Sequence, residues 1–428
     1  MRLSDVTLLK PHIMETHVKQ VVEFEQIISR GCGMDVHKET VVATVSGVGI
    51  LPETRTFSTF TSSLKELSTW LKSLEITHAA MESTGIYWKP VFNVLEEDFE
   101  ILLVNARHIK NVPGHKTDKK DSQWIAKLLL SGLLKGSFIP PKEIRELRDL
   151  FRYKRKLVGQ ISSEKNRLQK ILEDANIKLS SVVSDTFGVS STRIIDALLK
   201  GENDVEELVK LCHSKLAGKK ELLKEALVGK LTVHHKFMLR TIKKSIDNIE
   251  EIVAQVEKQI EGQTKCYQIE MELLQTIPGV GAGTALGIIA EIGADMNVFP
   301  NEQHLASWAG MSPGNNESAG KKKSSRITHG DKYLKAVLVE AGWAASHTKN
   351  TYLRSKYDSL VGRRGKKRAL IALGHKILCA AYFIIKNKEC YKELGADYLE
   401  SRRKRNQVQS YLDKLKNLGI EVEVKKAA

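Results

Sequence analysis

Aromatic residues, proline and cysteine are all scarce in this chain. Aromatics make up 6% of its 428 residues, and there are nine prolines. The five cysteines (Cys32, Cys212, Cys266, Cys379, Cys390) form no CxxC pair and no zinc-type spacing with histidine. An odd, scattered set excludes a disulfide framework and points to reduced thiols in a cytosolic protein. No apolar run reads as long enough to span a membrane, and the N-terminus lacks the apolar stretch of a signal peptide. No membrane partner is therefore expected. Negative charge is short as well: 51 acidic residues face 67 Lys and Arg, a net charge of +16. Such a balance, clustered along the chain, points to nucleic acid as partner. Hydrophobic content of 42% is enough for real cores, and the length allows two or three domains.

The acids that are present include a notable set. Asp35 lies in GMDVHKETVVATV, Glu82 in HAAMESTG, and Asp118 with Asp121 in KTDKKDSQWIAKLL. The first two end or interrupt strand-like runs. The last two are three apart at a helix start and share one face. Carboxylates delivered separately to one sheet edge make poor core and good ligands for hard divalent cations. Asp118 alone, after Thr117, reads equally as first-turn charge favouring the helix dipole; only the set of four argues for metal. Lys119 and Lys120 are candidate phosphate contacts, with a solvated charged face as the plain alternative.

Residues 31–139 alternate between strand and helix patterns. GCGMDV, TVVATVSG and a run around Thr54–Phe57 predict a β-meander, with HKE as a tight turn. Leu64, Leu67, Leu71 and Leu74 recur at helical spacing, so 62–74 is an amphipathic helix. THAAME is a fourth strand, a helix starts near Pro90, EILLVNA is a fifth strand, and 118–130 is a helix. Trp88 is expected in the core. Three meandering strands followed by strand–helix units is the RNase H-like order. By analogy with that fold, strands one and four are neighbours and Asp35 meets Glu82.

The proline-poor stretch 143–262 changes character. Leu147, Leu150, Leu157, Ile161, Leu168 and Ile171 fit heptad spacing. A cleaner seam follows at Leu239, Ile242, Ile246, Ile249, Val253, Val256 and Ile260, in alternating steps of three and four. The partner of that coiled-coil seam, within the chain or in another copy, is not readable. The span 180–230 reads as polar and irregular with short helical pieces.

Further on, LLQTIPGVGAGTALGIIAEIG predicts helix, turn, helix, and resembles a helix-hairpin-helix motif. Gly279 and Gly281 would leave N–H groups free for a phosphate oxygen; the alternative is an αα corner packed on Ile277, Val280 and Leu286. Residues 301–385 hold a Gly/Ser-rich loop loaded with Lys321, Lys322, Lys323 and Arg326, then a helix from Lys332. GRRGKKR at 362–368 and SRRKR at 401–405 are further cationic runs.

Taken in order, GMDVHKE, MESTGIYW, NARHIKNVPGHKTDKKDS and IPGVG…LASWAGMSPGNNESAGKK resemble the DEDD transposases of insertion sequences. These are the bridge-RNA-guided serine recombinases, related to the pilin-gene invertase. The resemblance runs from about Glu23 to His347. It implies a RuvC-like (RNase H-like) α/β domain over 31–142 after an N-terminal extension of 1–30. A helical coiled-coil domain over 143–264, an all-α C-terminal transposase domain over 265–390 and a basic tail over 391–428 complete the expected architecture. It places the metal-binding acidic tetrad on Asp35, Glu82, Asp118 and Asp121, and the nucleophile on Ser318, although Ser312, Ser324 and Ser325 lie close by. It also implies Mg²⁺, as two ions, with Mn²⁺ an alternative that carboxylates do not discriminate. The partners it implies are target and donor duplex DNA, an element-encoded bridge RNA that supplies sequence choice by pairing, and further copies in a tetramer (a dimer of dimers). The setting is a bacterial or archaeal cytoplasm.

The chemistry agrees with those residue types. Phosphodiester cleavage needs an in-line nucleophile and neutralised transition-state charge. No histidine with triad-like spacing accompanies Ser318, so Lys321, Lys322 and Arg326, together with metal, are expected to supply the electrostatics. The alternatives are a RuvC-type endonuclease that hydrolyses branched DNA, which leaves the serine loop idle, and a non-catalytic nucleic-acid scaffold, which leaves the carboxylates idle.

Overall fold

The computed structural model describes residues 27–83, 85–105, 118–213, 218–314, 316–324 and 326–419, without the side chains of 118–120, 316–318, 322 and 323. Most of the N-terminal extension, Thr117 and the end of the basic tail fall outside that description. The chain forms two units, Met1–Ile139 and Pro140–Ala428.

The first unit is built on a five-stranded sheet. Its elements are β1 (Arg30–Val36), β2 (Thr40–Gly47), β3 (Ile50–Ser58), α1 (Thr61–Ser73), β4 (His78–Glu82), α2 (Trp88–Leu95), β5 (Glu100–Val104) and α3 (Asp118–Leu130). The strand order is β3-β2-β1-β4-β5. The first three strands pair antiparallel, and β1–β4 and β4–β5 pair parallel. The meander, and the neighbouring of strands one and four, are thus as the sequence pattern predicts. β3 is longer than expected, because its outer half is exposed and shows no buried period.

Side chains alternate across the sheet. Cys32, Met34 and Val36 pack with Leu64, Leu67, Leu71, Phe92 and Leu95 on the α1/α2 face. Trp88 packs against that cluster, half-buried. Ala80 and Val104 pack with Ile125, Leu128 and Leu129 of α3 on the other face. There α3 approaches β1 so closely that a Cβ on Gly33 would lie 2.2 Å from the Ala126 nitrogen and 2.3 Å from the Ser122 carbonyl oxygen. Both obstacles are backbone, so Gly33→Ala is expected to push the helix off the sheet. A loss of about 3 kcal/mol follows from overpacking of this kind, measurable as a lower denaturation midpoint. An unchanged midpoint would mean that α3 is not seated on β1 as described.

The second unit is helical. α4 (Lys142–Asp174) and α9 (Val233–Thr264) frame four short helices, α5 (Leu179–Val182), α6 (Val189–Lys200), α7 (Val205–Lys210) and α8 (Lys220–Ala226). Lys154 pairs with Glu257 at 2.7 Å and Lys165 with Glu250 at 3.8 Å, so α4 and α9 run antiparallel. The seam predicted at Leu239 to Ile260 therefore finds its partner in the same chain. With 33 residues, α4 is about 50 Å long at 1.5 Å per residue.

The span 180–230 forms short helices, as its pattern suggests, but is neither irregular nor polar throughout. Its short helices enclose a core of their own: Leu179, Ile194, Leu198, Leu208 and Leu223 are buried with Leu168, Leu172, Leu239 and Ile242 of the two long helices. Each helix is too short for its apolar period to stand out among the lysines and glutamates, so the pattern reads as polar. The ends of this cap meet: the Lys230 N–H donates to the Ala175 carbonyl at 3.0 Å, and the Lys178 N–H to Ala226 at 2.9 Å.

The rest of the unit comprises α10 (Gln268–Gln275), α11 (Ala282–Ile292), α12 (Glu302–Trp308), β6 (Asn316–Ser318), β7 (Lys321–Ser324), α13 (Lys332–Ala345), α14 (Tyr352–Arg364), α15 (Lys366–Asn387) and α16 (Tyr398–Asn417). α15 is long and apolar enough to cross a membrane by length and composition, a run that the sequence reading passed over. Here it is a core helix, with Leu373, Ile377, Leu378, Ala381 and Ile385 buried. α16, in the predicted basic tail, buries no residue.

Candidate functional site

The sheet brings the first two acids to one end. β1 and β4 run parallel with Met34 opposite Met81, so Asp35 and Glu82 follow at adjacent positions at the carboxyl ends of neighbouring strands. Gly33 faces α3 and Ala80 packs on it. Two residues on, Asp35 and Glu82 belong to the same face.

α3 carries the other two to that end. Its Ser122 and Ala126 lie over Gly33, and its Leu129 and Leu130 over Gly31. The helix therefore runs opposite to β1, and its first turn, with Asp118 and Asp121, lies toward the Asp35 end. Thr44 and Ser122 share a buried hydroxyl hydrogen bond of 2.8 Å that pins the helix to β2. The side chains of Asp118, Lys119 and Lys120 are outside the described residues. Among those described, no group of three or more His, Cys, Asp or Glu could hold a metal ion, so Asp35, Glu82 and Asp121 do not form such a group by themselves.

Asp35 is 7% exposed. A buried carboxylate needs a charge or hydrogen-bond partner. His37 is one that the sequence reading did not single out: its Nε2 lies 3.1 Å from the Asp35 carboxylate. The only signal for it was its place two residues along a strand end. Glu82 and Asp121 are half-buried. An all-oxygen donor set of this kind fits a hard divalent cation.

The serine region is a short hairpin where the sequence suggested a loop. β6 and β7 pair antiparallel with Ser318 opposite Lys321. The two residues between them, Ala319 and Gly320, have φ of 50° and 73°, as a type I′ turn demands. Ala319 holds the left-handed conformation at a cost of roughly 1–2 kcal/mol. Ser318 thus lies at the tip, next to an exposed turn. The base is closed by a Pro313–Ile327 bridge and by the Gly314 N–H donating to the Arg326 carbonyl at 2.9 Å. Lys321 and Arg326 are exposed; the side chains of Ser318, Lys322 and Lys323 are outside the described residues.

The glycine turn divides its labour. Gly279, at φ 86°, lies where a Cβ would come 2.4 Å from the Ala345 nitrogen of α13, whereas Gly281 has nothing within 4 Å of such a Cβ. Ile277, Val280 and Leu286 are buried beside them. Gly279 thus serves close packing, and Gly281 leaves the N-terminus of α11 exposed.

A buried ionic network ties this region together and had no sequence signal, because its members are far apart in the chain. Glu291 of α11 is fully buried. Arg152 of α4 grips it through Nε and Nη2 at 2.8 and 2.7 Å, and Nη2 also reaches Asp331 at 2.6 Å. Arg148 adds a contact at 3.1 Å. Burial pushes the Glu291 carboxyl up from its usual range, against the pull of the arginines. Asp331 caps α13 through the Tyr333 and Leu334 N–H groups, directly after the hairpin.

Comparison with known proteins meets this geometry at both places. Residues 32–177 match a family described as transposase, the DEDD transposase of the IS110 type. Residues 271–358 match the transposase IS116/IS110/IS902 family. Together the two matches define the class, a transposase of insertion sequences that cuts and rejoins DNA, and they span more than half of the chain. The transposase for insertion sequence element IS1111A of Coxiella burnetii is 24% identical over 329 residues, 75% of this chain and 80% of that one. The pilin gene-inverting protein of Moraxella bovis is 32% identical over 118 residues, 27% of this chain and 36% of that one. The homologue from Moraxella lacunata is 27% identical over 197 residues, 44% and 59% of the two chains. The chain belongs to the IS110-type family of transposases.

Proposed function

We propose that this transposase cuts and rejoins DNA through a phosphoserine at Ser318, with Asp35, Glu82, Asp118 and Asp121 as a metal-holding tetrad. One observation carries the reading: β1, β4 and α3 lead separate acidic segments to one end of one sheet face. The donor set suits Mg²⁺, as two ions, or Mn²⁺. Such ions, when bound, offset charge on the attacking and leaving oxygens.

Ser318 Oγ attacks phosphorus. An Oγ–P bond forms as the P–O bond to one deoxyribose breaks. The hydroxyl proton passes to a basic group, and the departing sugar oxygen takes up a proton. One phosphoester replaces another, so the reverse step rejoins strands without ATP. Lys321, Lys322, Lys323 and Arg326 around the turn offset phosphate charge. Lys119 and Lys120 contact the backbone near the tetrad, and Gly281, not the packed Gly279, opens the α11 N-terminus to it. Target and donor duplexes are chosen by an element-encoded bridge RNA, and the working form is a tetramer built as a dimer of dimers. The support for these last points is the family resemblance and the net charge of +16.

The test combines purified protein, Mg²⁺, RNA transcribed from the DNA flanking the gene, and labelled target and donor duplexes. Denaturing gels are run before and after protease. A protease-sensitive, slow-migrating DNA band is expected, and Ser318→Ala is expected to abolish it. Clean cuts with no adduct, persisting in Ser318→Ala, would make this a hydrolytic endonuclease of the RuvC type.

A further inference from the structure

A cavity of about 750 Å³ opens beside the base of the Ser318 hairpin. Lys356 and Arg364 of α14, Lys367, Arg368 and Lys376 of α15, and Arg326 from the hairpin base line it. No aspartate or glutamate among the described residues does. Among the described residues none of these six cations forms an ion pair, although ion pairs are common elsewhere in the unit. The floor is apolar, made by Met311, Leu360, Ile371 and Ala372. Burial, then the charges of Lys376, Arg403 and Arg402, push the Lys356 ammonium below its ordinary range. So many like charges on a concave wall repel one another, and only an anion relieves that.

We propose that this cavity takes unpaired nucleotides of the DNA strand being processed, phosphates on the cationic rim and a base on the apolar floor. Its volume falls in the range of about 300–1,000 Å³ typical of sites that enclose small molecules, so it suits a nucleotide lifted out of its stack and not a duplex. A base taken out of its stack is held between aromatic or apolar side chains, and Lys and Arg along a groove track the strand's phosphates. The hairpin joins the cavity to Ser318. Pro313 and Ile327 sit on the cavity wall and bridge the hairpin base. Ser318 lies five residues beyond Pro313 along the chain. The choice of DNA over RNA rests on the reading of Ser318 as the attacking group.

The test measures equilibrium binding by full-length Ser318→Ala protein in EDTA, where no adduct can form, so its outcome is separate from that of the phosphoserine assay. The probes are fluorescent oligothymidylate, the matching oligouridylate, and a DNA duplex. Lys356→Gln/Lys376→Gln is expected to weaken oligothymidylate binding tenfold or more. It should also flatten the log–log salt slope by about 1.4, at roughly 0.7 for each phosphate no longer neutralised. Duplex binding should change less than threefold. Lys244→Gln/Lys258→Gln on the exposed face of α9 removes the same charge and should leave oligothymidylate binding within threefold. Equal losses for duplex and single strand, or no loss, would overturn the proposal. A larger loss for oligouridylate than for oligothymidylate would give the cavity to RNA and overturn it as stated. Arg364→Gln/Lys367→Gln on the exposed rim repeats the test without touching half-buried Lys356.

Discussion

Asp35→Asn is expected to lower the rate of DNA strand cleavage roughly a thousandfold or more, the scale on which metal-borne charge stabilisation acts. Asparagine keeps the shape of the buried side chain and one acceptor oxygen, so the sheet should fold as before. It removes the negative charge that a hard cation needs, including the charge beside His37 Nε2. Chelation and substitution should act through the same group. Adding EDTA to wild type should therefore produce the same loss, and adding it to Asp35→Asn should produce little more. The rates can be followed on labelled duplexes, with circular dichroism as the folding control. Full activity in a folded Asp35→Asn protein would remove Asp35 from the metal set and weaken the case for the whole tetrad.

Glu291→Ala is expected to cost about 3–5 kcal/mol of stability, the loss seen when one partner of a buried ion pair is removed. The size comes from what is left behind. Arg148 and Arg152 are 15% and 27% exposed at the side chain, so both guanidiniums would stay largely dry with their main counter-ion gone. Arg152 would keep Asp331 as counter-ion and the face of the Tyr333 ring. Glu291→Gln, which retains acceptor and volume, should cost less. Denaturant unfolding reads both, and Arg152→Ala in the Glu291→Ala background should add less than it does alone. Additive losses would show that the pair is not coupled. Because Asp331 caps α13 right after the hairpin, slower strand transfer is expected alongside the reduced stability.

Much of the first unit was legible because strands expose a period of two and the meander has short turns. The α3 boundary, Asp118–Leu130, followed from the charged start before an apolar run. The convergence of Asp35 and Glu82 came from fold analogy; the strand register supplies it physically. The seam of α9 was legible, but its partner was not, since heptads do not say which helix faces them. The Ser318 turn was hidden because Ala319 holds a positive φ that composition assigns to glycine or asparagine. The basic cavity was only half visible. GRRGKKR stands out in the chain, but Arg326, Lys356 and Lys376 join it only through the packing of α14 and α15 on the hairpin base.

The cap between α4 and α9 has a further meaning. Its two ends are stitched by the hydrogen bond from Lys230 to Ala175, so the chain leaves and re-enters the helical hairpin at nearly one point. An insert with adjoining ends behaves as an interchangeable cassette: it can lengthen, shrink or be replaced over generations without re-registering the long helices. The one condition is that the replacement still shelters Leu168, Leu172, Leu239 and Ile242. Relatives of this transposase are thus free to diverge most here, and a graft of foreign sequence is best placed at this seam.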